Sequence, residues 1–128
     1  MFKKILVMLT VLAISVTAFS IVGAQDISED CEAVAGELIA FTPARSERYV
    51  NGLITGLQNE AANACYEITI LENEFNQAEQ DQQVQQQLAI GAEPDLWIWW
   101  PAEGAAGLGS LRDLAGTDIP VLQINQLP

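Results

Sequence analysis

The segment 95–101 reads DLWIWWP and is apolar at every position from Leu96 to Trp100. Both faces of such a strand must be covered, which is typical of a central strand in a parallel sheet. Pro101 is expected to end the strand, because proline has no N–H to donate to a sheet ladder. Trp97 and Trp99 share one face of this strand, and we expect them to pack against helices.

Strand and helix patterns alternate on both sides of this segment. Further strands are predicted at 38–41, 66–71 and 119–124 (LIAF, YEITIL and IPVLQI). Helices are predicted at 46–64, 77–90 and 103–115, where apolar residues recur at spacings of three and four. This alternation predicts an α/β fold of order βαβαβαβ, an open parallel sheet with helices on both faces.

Local signals add detail to the predicted helices. Ser46 is expected to cap the first helix, and Gly52 and Gly56 to let that helix pack closely on the sheet. The second helix is rich in Gln, which we interpret as a solvated face. Its buried stripe is expected to be formed by Ala78, Val84, Leu88 and Ala89.

Composition and charge exclude several classes of protein. The chain has 128 residues, a net charge of −12 and no His. These properties argue against nucleic-acid binding, Ser-His-Asp triads and His-ligated zinc. The loop 42–48 (TPARSER) matches neither a dinucleotide loop nor a Walker A loop. We therefore expect no enzymatic activity, no cofactor and no metal.

Residues 1–24 have the pattern of a secretory signal sequence. Lys3 and Lys4 precede a long apolar run, and small residues up to Ala24 mark the expected cleavage position. An uncleaved membrane anchor is the alternative, since the run is long enough to span a bilayer. Export to the periplasm, or secretion, would permit a disulfide between Cys31 and Cys65, the alternative being two unpaired cysteines.

The loops after the predicted strands offer candidate ligand contacts. In an open parallel sheet, ligands bind outside the carboxyl ends of the strands. There the chain places amides, acids, two arginines and the aromatic residues Tyr49 and Trp100. An aromatic ring can stack on the apolar face of a sugar, so Trp100, the last residue of its strand, is a candidate contact.

Three segments carry a family resemblance. They are 38–42 with 49–57 (LIAFT and YVNGLITGL), 92–103 (AEPDLWIWWPAE) and 119–125 (IPVLQIN). Behind a signal sequence, this order resembles the N-terminal lobe of type I periplasmic solute-binding proteins of the ribose- and galactose-binding kind. The resemblance implies a polar lead-in at 25–36 and one lobe at 37–128, with the second lobe absent. The chain is expected to be truncated, and a naturally short protein is the alternative.

The resemblance also implies a function and a set of contacts. Members of the family close two lobes around a small polar solute, usually a sugar, and dock on the membrane permease of an ABC importer. Their first-lobe contacts correspond here to Ser46, Glu47, Tyr49, Glu103 and Asn125. The alternatives are a periplasmic sensory protein that serves a chemoreceptor or sensor kinase, and a small flavodoxin-like enzyme.

The loop before the first helix departs from the family pattern. Where the family often has Asn-Pro-Phe-Phe, residues 47–50 read ERYV. One amide and one stacking ring are therefore missing. An amino-sugar, a polyol or an amine stays open as the ligand beside a sugar.

Overall fold

The computed structural model describes residues 30–125. The predicted signal sequence, residues 25–29 of the lead-in and residues 126–128 lie outside the described residues. The strands are β1 (Gly36–Pro43), β2 (Tyr66–Asn73), β3 (Leu96–Trp99) and β4 (Val121–Gln123). The helices are α1 (Arg48–Asn63), α2 (Gln77–Ala89) and α3 (Leu108–Ala115). The predicted order βαβαβαβ is confirmed.

The strands form one parallel sheet in the order β2-β1-β3-β4. The register pairs Ala40 of β1 with Ile70 on one side and with Ile98 on the other. On β3, Ile98 also pairs with Leu122 of β4. The sheet is therefore continuous, and β1 and β3 lie side by side at its centre.

Two apolar cores cover the two faces of the sheet. On the first face, Val50 and Ile54 of α1 pack with Ala40, Ile98 and Trp100. On the second face, side chains of α2 and α3 pack against the alternate residues of the same strands; they include Val84, Leu114, Phe41, Trp97 and Trp99. Trp97 and Trp99 are both 0% exposed, which confirms that they pack against helices.

Several local predictions about the helices are wrong. Ser46 does not cap α1: the cap position is Glu47, and no side-chain hydrogen bond is made there. The third helix begins at Leu108 rather than at Glu103, because residues 104–107 form turns before it. Gly56 does not serve close packing, since a Cβ built on it would have no neighbour within 4 Å, and the same holds for Gly52.

The buried stripe of α2 also differs from the prediction. Val84 is buried and Leu88 packs against the second core, as expected. Ala78 and Ala89 are exposed, however, and the residues that continue the buried stripe are Gln77 and Gln80. The side chains of these two glutamines are used by the loop that follows β3.

A disulfide joins Cys31 to Cys65, with their Cα atoms 5.6 Å apart. Cys65 directly precedes β2, and the backbone N–H of Ala35 donates to the carbonyl of Cys65 over 2.7 Å. The bridge therefore ties the segment before β1 to the α1–β2 turn, at the amino edge of the sheet. No helix within residues 30–125 is long and apolar enough to cross a membrane.

Candidate ligand-binding site

The carboxyl edge of the sheet contains a topological switch point between β1 and β3. From β1 the chain runs through α1 on one face to β2, and from β2 it returns through α2 on the other face to β3. The loops after β1 and β3 consequently diverge to opposite sides and leave a crevice between them. This crevice is where open α/β sheets bind ligands.

The β1–α1 loop is fixed to the end of β2 through Arg45. The backbone N–H and the Nε–H of Arg45 donate to the two carboxylate oxygens of Glu72, over 3.0 and 2.6 Å. Its Nη1 donates to Oε1 of Gln58, which lies on α1, over 3.2 Å. These bonds occupy the Arg45 guanidinium and hold the start of the loop, which leaves Ser46 and Glu47 to extend into solvent.

An open depression of about 770 Å³ lies at the start of α1. It is lined by Glu47, Arg48, Tyr49, Gly52 and Leu53. Two of the predicted contacts, Glu47 and Tyr49, therefore lie together in one surface feature. The Glu47 side chain makes no capping hydrogen bond to the first turn of α1.

Tyr49 and Trp100 are brought together by α1 and the end of β3. Their ring centroids are 5.7 Å apart and their planes meet at 72°, an edge-to-face contact. Tyr49 is 64% exposed, whereas Trp100 is 3% exposed and belongs to the first core. In this lobe Tyr49 thus presents an aromatic surface to solvent, and Trp100 lies beneath it.

The loop that follows β3 is held by side-chain amides of α2. Nε2 of Gln80 donates to the carbonyl of Trp100 over 2.8 Å, and its Oε1 accepts from the N–H of Ala102 over 3.1 Å. Oε1 of Gln77 accepts from the N–H of Glu103 over 3.0 Å. Glu103 is exposed just beyond these bonds, on the edge where the prediction places it.

Asn125 lies two residues beyond the last residue of β4 and is exposed. The N–H of the preceding residue, Ile124, donates to the carbonyl of Trp99 over 3.0 Å, so the chain still follows β3 there. Asn125 has a φ of 73°, a left-handed conformation that asparagine tolerates better than most residues. It therefore extends from the same carboxyl edge, on the side of β3 away from β1.

Sequence reasoning missed Gln77 and Gln80 because their side chains are polar. One signal was present: positions 77, 80, 84 and 88 share one helix face by their spacing. Polar residues at the start of a buried helix face lie beside the carboxyl ends of the strands, where loop peptide groups need partners. Within residues 30–125 no group of three or more acidic, Cys or His side chains is placed to hold a metal ion.

Comparison with known proteins gives matches in structure but not in sequence. No protein-family model matches the chain, and no curated protein sequence matches it. Six of the solved structures that match are similar to it at a TM-score of about 0.6 and at 17–22% sequence identity. Likeness at this level of identity is evidence of a shared fold.

Three of these structures illustrate the match. A periplasmic ribose ABC transporter protein from Conexibacter woesei has a TM-score of 0.66 and 19% identity, over 74% of this chain and 32% of its own. A sugar-transport periplasmic component from Hahella chejuensis has a TM-score of 0.65 and 22% identity, over 71% of this chain and 33% of its own. The Caulobacter myo-inositol-binding protein has a TM-score of 0.64 and 21% identity, over 71% of this chain and 30% of its own.

The chain spans about a third of the length of these structures, so the likeness is to a part of each of them. Within residues 30–125 this chain has one parallel sheet of four strands with three helices. Residues 30–125 therefore have the fold of one lobe of a type I periplasmic sugar-binding protein.

Proposed function

We propose that this chain is the ligand-binding lobe of an exported solute-binding protein that captures a sugar or a similar polyol for an ABC importer. The observation that carries the proposal is the exposed ring of Tyr49, which lies beside Glu47 at the switch point of a sugar-binding-protein lobe. The solved structures that share this fold support the sugar class of ligand.

The chemistry of the edge suits a ligand rich in hydroxyl groups. A sugar presents hydroxyls at its rim and C–H groups on its faces. The Tyr49 ring can cover a C–H face, with Trp100 supporting it from below. The carboxylates of Glu47 and Glu103 accept hydrogen bonds from hydroxyls, and the Ser46 hydroxyl both donates and accepts.

Asn125 completes the proposed set of contacts from the β4 side of the edge. Its amide can donate to one ligand oxygen and accept from another hydroxyl. The set thus approaches a ligand from the ends of β1, β3 and β4. Such a distribution over several loops fixes the orientation of a small polar molecule.

High affinity requires a second surface on the other side of the ligand. In two-lobed clamps, domain closure buries the ligand and removes water from its hydrogen bonds. One lobe supplies half of those contacts, so we expect this chain to bind sugars in the millimolar range. The whole protein would bind more tightly and would present its closed form to the membrane permease.

The proposed location follows from the amino-terminal segment and the cysteines. A signal sequence cleaved after Ala24 would export the chain to the periplasm or beyond. The Cys31–Cys65 disulfide suits that oxidising compartment. With Lys3 and Lys4 removed, only Arg45, Arg48 and Arg112 would oppose 17 acidic residues, a charge that favours solubility.

The test is an NMR titration of the oxidised chain with D-ribose, D-glucose and myo-inositol. Backbone amide shifts are expected at 46–53 and 100–103, and none at Ile90, which lies at the end of α2 on the opposite edge of the sheet. Tyr49→Ala should abolish the shifts, whereas Ile90→Ala, another exposed apolar residue, should keep them. Absence of any shift at the carboxyl edge with all three probes would overturn the proposal.

A further inference from the structure

The loop after β3 is held both by the neighbouring strand β1 and by helix α2. On the strand side, the N–H of Trp100 donates to the carbonyl of Phe41 over 3.0 Å. On the helix side, Gln80 bonds the carbonyl of Trp100 and the N–H of Ala102 with its two amide atoms. One side chain thus satisfies a peptide acceptor and a peptide donor in the same loop, much as a neighbouring strand would.

Gln77 is itself held in one orientation. Its Nε2 donates to Oδ1 of Asp81 over 2.7 Å, and the same oxygen accepts from the hydroxyl of Ser110 on α3. An ionised carboxylate accepts hydrogen bonds and donates none. Asp81 therefore fixes the amide group of Gln77 towards it, which leaves Oε1 for the N–H of Glu103.

These bonds are buried and specific for an amide. Gln80 is 0% exposed and Gln77 is 7% exposed. A glutamate at position 80 would have no donor for the carbonyl of Trp100 and would place a charge in the second core. A methionine would fill the same space but would leave both backbone groups without partners.

The loop held in this way carries one proposed ligand contact and the support of another. Trp100 supports the Tyr49 ring, and Glu103 extends from the same edge. We infer that Gln77 and Gln80 are positioning residues of the binding site, which fix the backbone of 100–103 so that Trp100 supports the Tyr49 ring and Glu103 faces the ligand. This inference rests on the proposed function, because it assigns the loop a role in binding.

The first test measures the loop without any ligand. Backbone amide hydrogen exchange is followed by NMR in Gln80→Met and Gln77→Met, with Gln86→Met as the control because Gln86 is exposed on the same helix. We expect faster exchange at Ala102 in the first variant and at Glu103 in the second. Exchange at Ile98, within β3, should stay as in the wild type.

The second test measures binding of the same three probes to the same variants. We expect Gln80→Met to raise the dissociation constant about tenfold, an effect typical of residues that support a site from behind. In a chain that already carries Glu103→Ala, Gln80→Met should raise the dissociation constant much less than tenfold, since Gln80 acts partly through Glu103. Gln86→Met should bind as the wild type does.

The outcomes separate the two proposals. If the wild type binds none of the probes, the proposed function falls, and the exchange data alone decide whether the glutamines fix the loop. If exchange at Ile98 accelerates as much as at Ala102, Gln80 has a general structural role and the inference is wrong. It is also wrong if the loop loosens while the dissociation constants stay unchanged.

Discussion

The indole of Trp100 lies under the ring of Tyr49, edge to face, with the centroids 5.7 Å apart. One ring is buried in the first core and the other is mostly exposed, so the pair links the interior of the lobe to its carboxyl edge. An exposed aromatic side chain on a helix is normally free to change rotamer. Here the contact with Trp100 restrains the Tyr49 ring at this edge.

Replacement of Tyr49 should separate the contribution of its ring from that of its hydroxyl. Tyr49→Leu is expected to lower the free energy of unfolding by about 0.5–1.5 kcal/mol, because the edge-to-face pair is lost. Tyr49→Phe keeps the ring and should unfold close to the wild type. Urea unfolding followed by tryptophan fluorescence measures both. Equal stability of the two variants would show that the ring pair contributes nothing.

Loss of the disulfide should have a larger effect. Cys31 and Cys65 are 34 positions apart in sequence, and a closed loop of that length stabilises a fold by about 3–4 kcal/mol in the chain-entropy view. The variant with both Cys31→Ser and Cys65→Ser should therefore unfold at a lower urea concentration. Its midpoint should not respond to a reductant, whereas that of the wild type should fall.

Intact mass gives an independent control for the same bridge. Reduction should add two hydrogens to the wild-type chain and none to the double variant. A wild-type mass that does not change under denaturing reduction would mean that the thiols are free in solution. The stability difference would then have to arise from the serine side chains alone.

The order of the elements was predictable because it depends on strong local patterns. The run 96–100 is apolar on both faces, and only a central strand of a parallel sheet buries both. The spacing of Val50 and Ile54 indicated the buried face of α1 for a similar reason. Such patterns depend on burial, which a sequence records directly.

The polar support of the site was not predictable in the same way. A glutamine on a helix has the same local signal whether it faces water or a peptide group across the core. Gln80 is buried because the loop after β3 offers it both a carbonyl and an N–H, and that pairing joins residues 20 and 22 positions apart. The bond between Arg45 and Glu72 was missed because it too depends on which strand ends are neighbours.

Gly56 and Gly107 differ in the space that each leaves for an added side chain. A Cβ on Gly107 would lie 2.6 Å from Cζ2 of Trp99, whereas one on Gly56 would have nothing within 4 Å. Gly107→Ala should therefore lower the free energy of unfolding by about 1–3 kcal/mol, because the buried indole must move. Gly56→Ala should raise it by about 0.5–1 kcal/mol, as alanine favours a helix interior.

Thermal unfolding followed by circular dichroism measures this pair of variants. The two substitutions add the same methyl group, so they differ chiefly in what the methyl group meets. Stabilisation by Gly107→Ala would mean that Trp99 does not pack against the start of α3. Destabilisation by Gly56→Ala would restore the view that Gly56 is needed for close packing on the sheet.

Gly91 is required for a different reason, the way in which α2 ends. Its φ is 69°, its N–H donates to the carbonyl of Leu88, and the N–H of Ala92 donates to the carbonyl of Gln87. This is a Schellman arrangement, in which a left-handed residue closes the helix. Gly91→Ala should lower the free energy of unfolding by about 1–2 kcal/mol although its Cβ has open space around it.

Asparagine provides the matched substitution at this position. It adopts the left-handed conformation more readily than alanine does, so Gly91→Asn should lose less stability than Gly91→Ala. Urea unfolding of the two variants side by side gives the comparison. If both lose the same amount, the backbone conformation is not the cause of the loss.

The ion pair of Arg45 with Glu72 should contribute modestly to stability and more to the shape of the β1–α1 loop. The two side chains are 32% and 26% exposed, so water and salt screen part of their attraction. A double-mutant cycle with Arg45→Met and Glu72→Gln is expected to give a coupling of about 0.5–1 kcal/mol. The backbone N–H of Arg45 also donates to Glu72, and only Glu72→Gln disturbs that bond.

The two single variants should therefore differ in the rate of amide exchange at Arg45. Glu72→Gln should accelerate amide exchange at Arg45, because the remaining acceptor is uncharged and weaker. Arg45→Met should change exchange there much less, since the Glu72 carboxylate still accepts from the backbone. Equal acceleration in both variants would show that the guanidinium is needed as much as the carboxylate to hold the loop that presents Ser46 and Glu47.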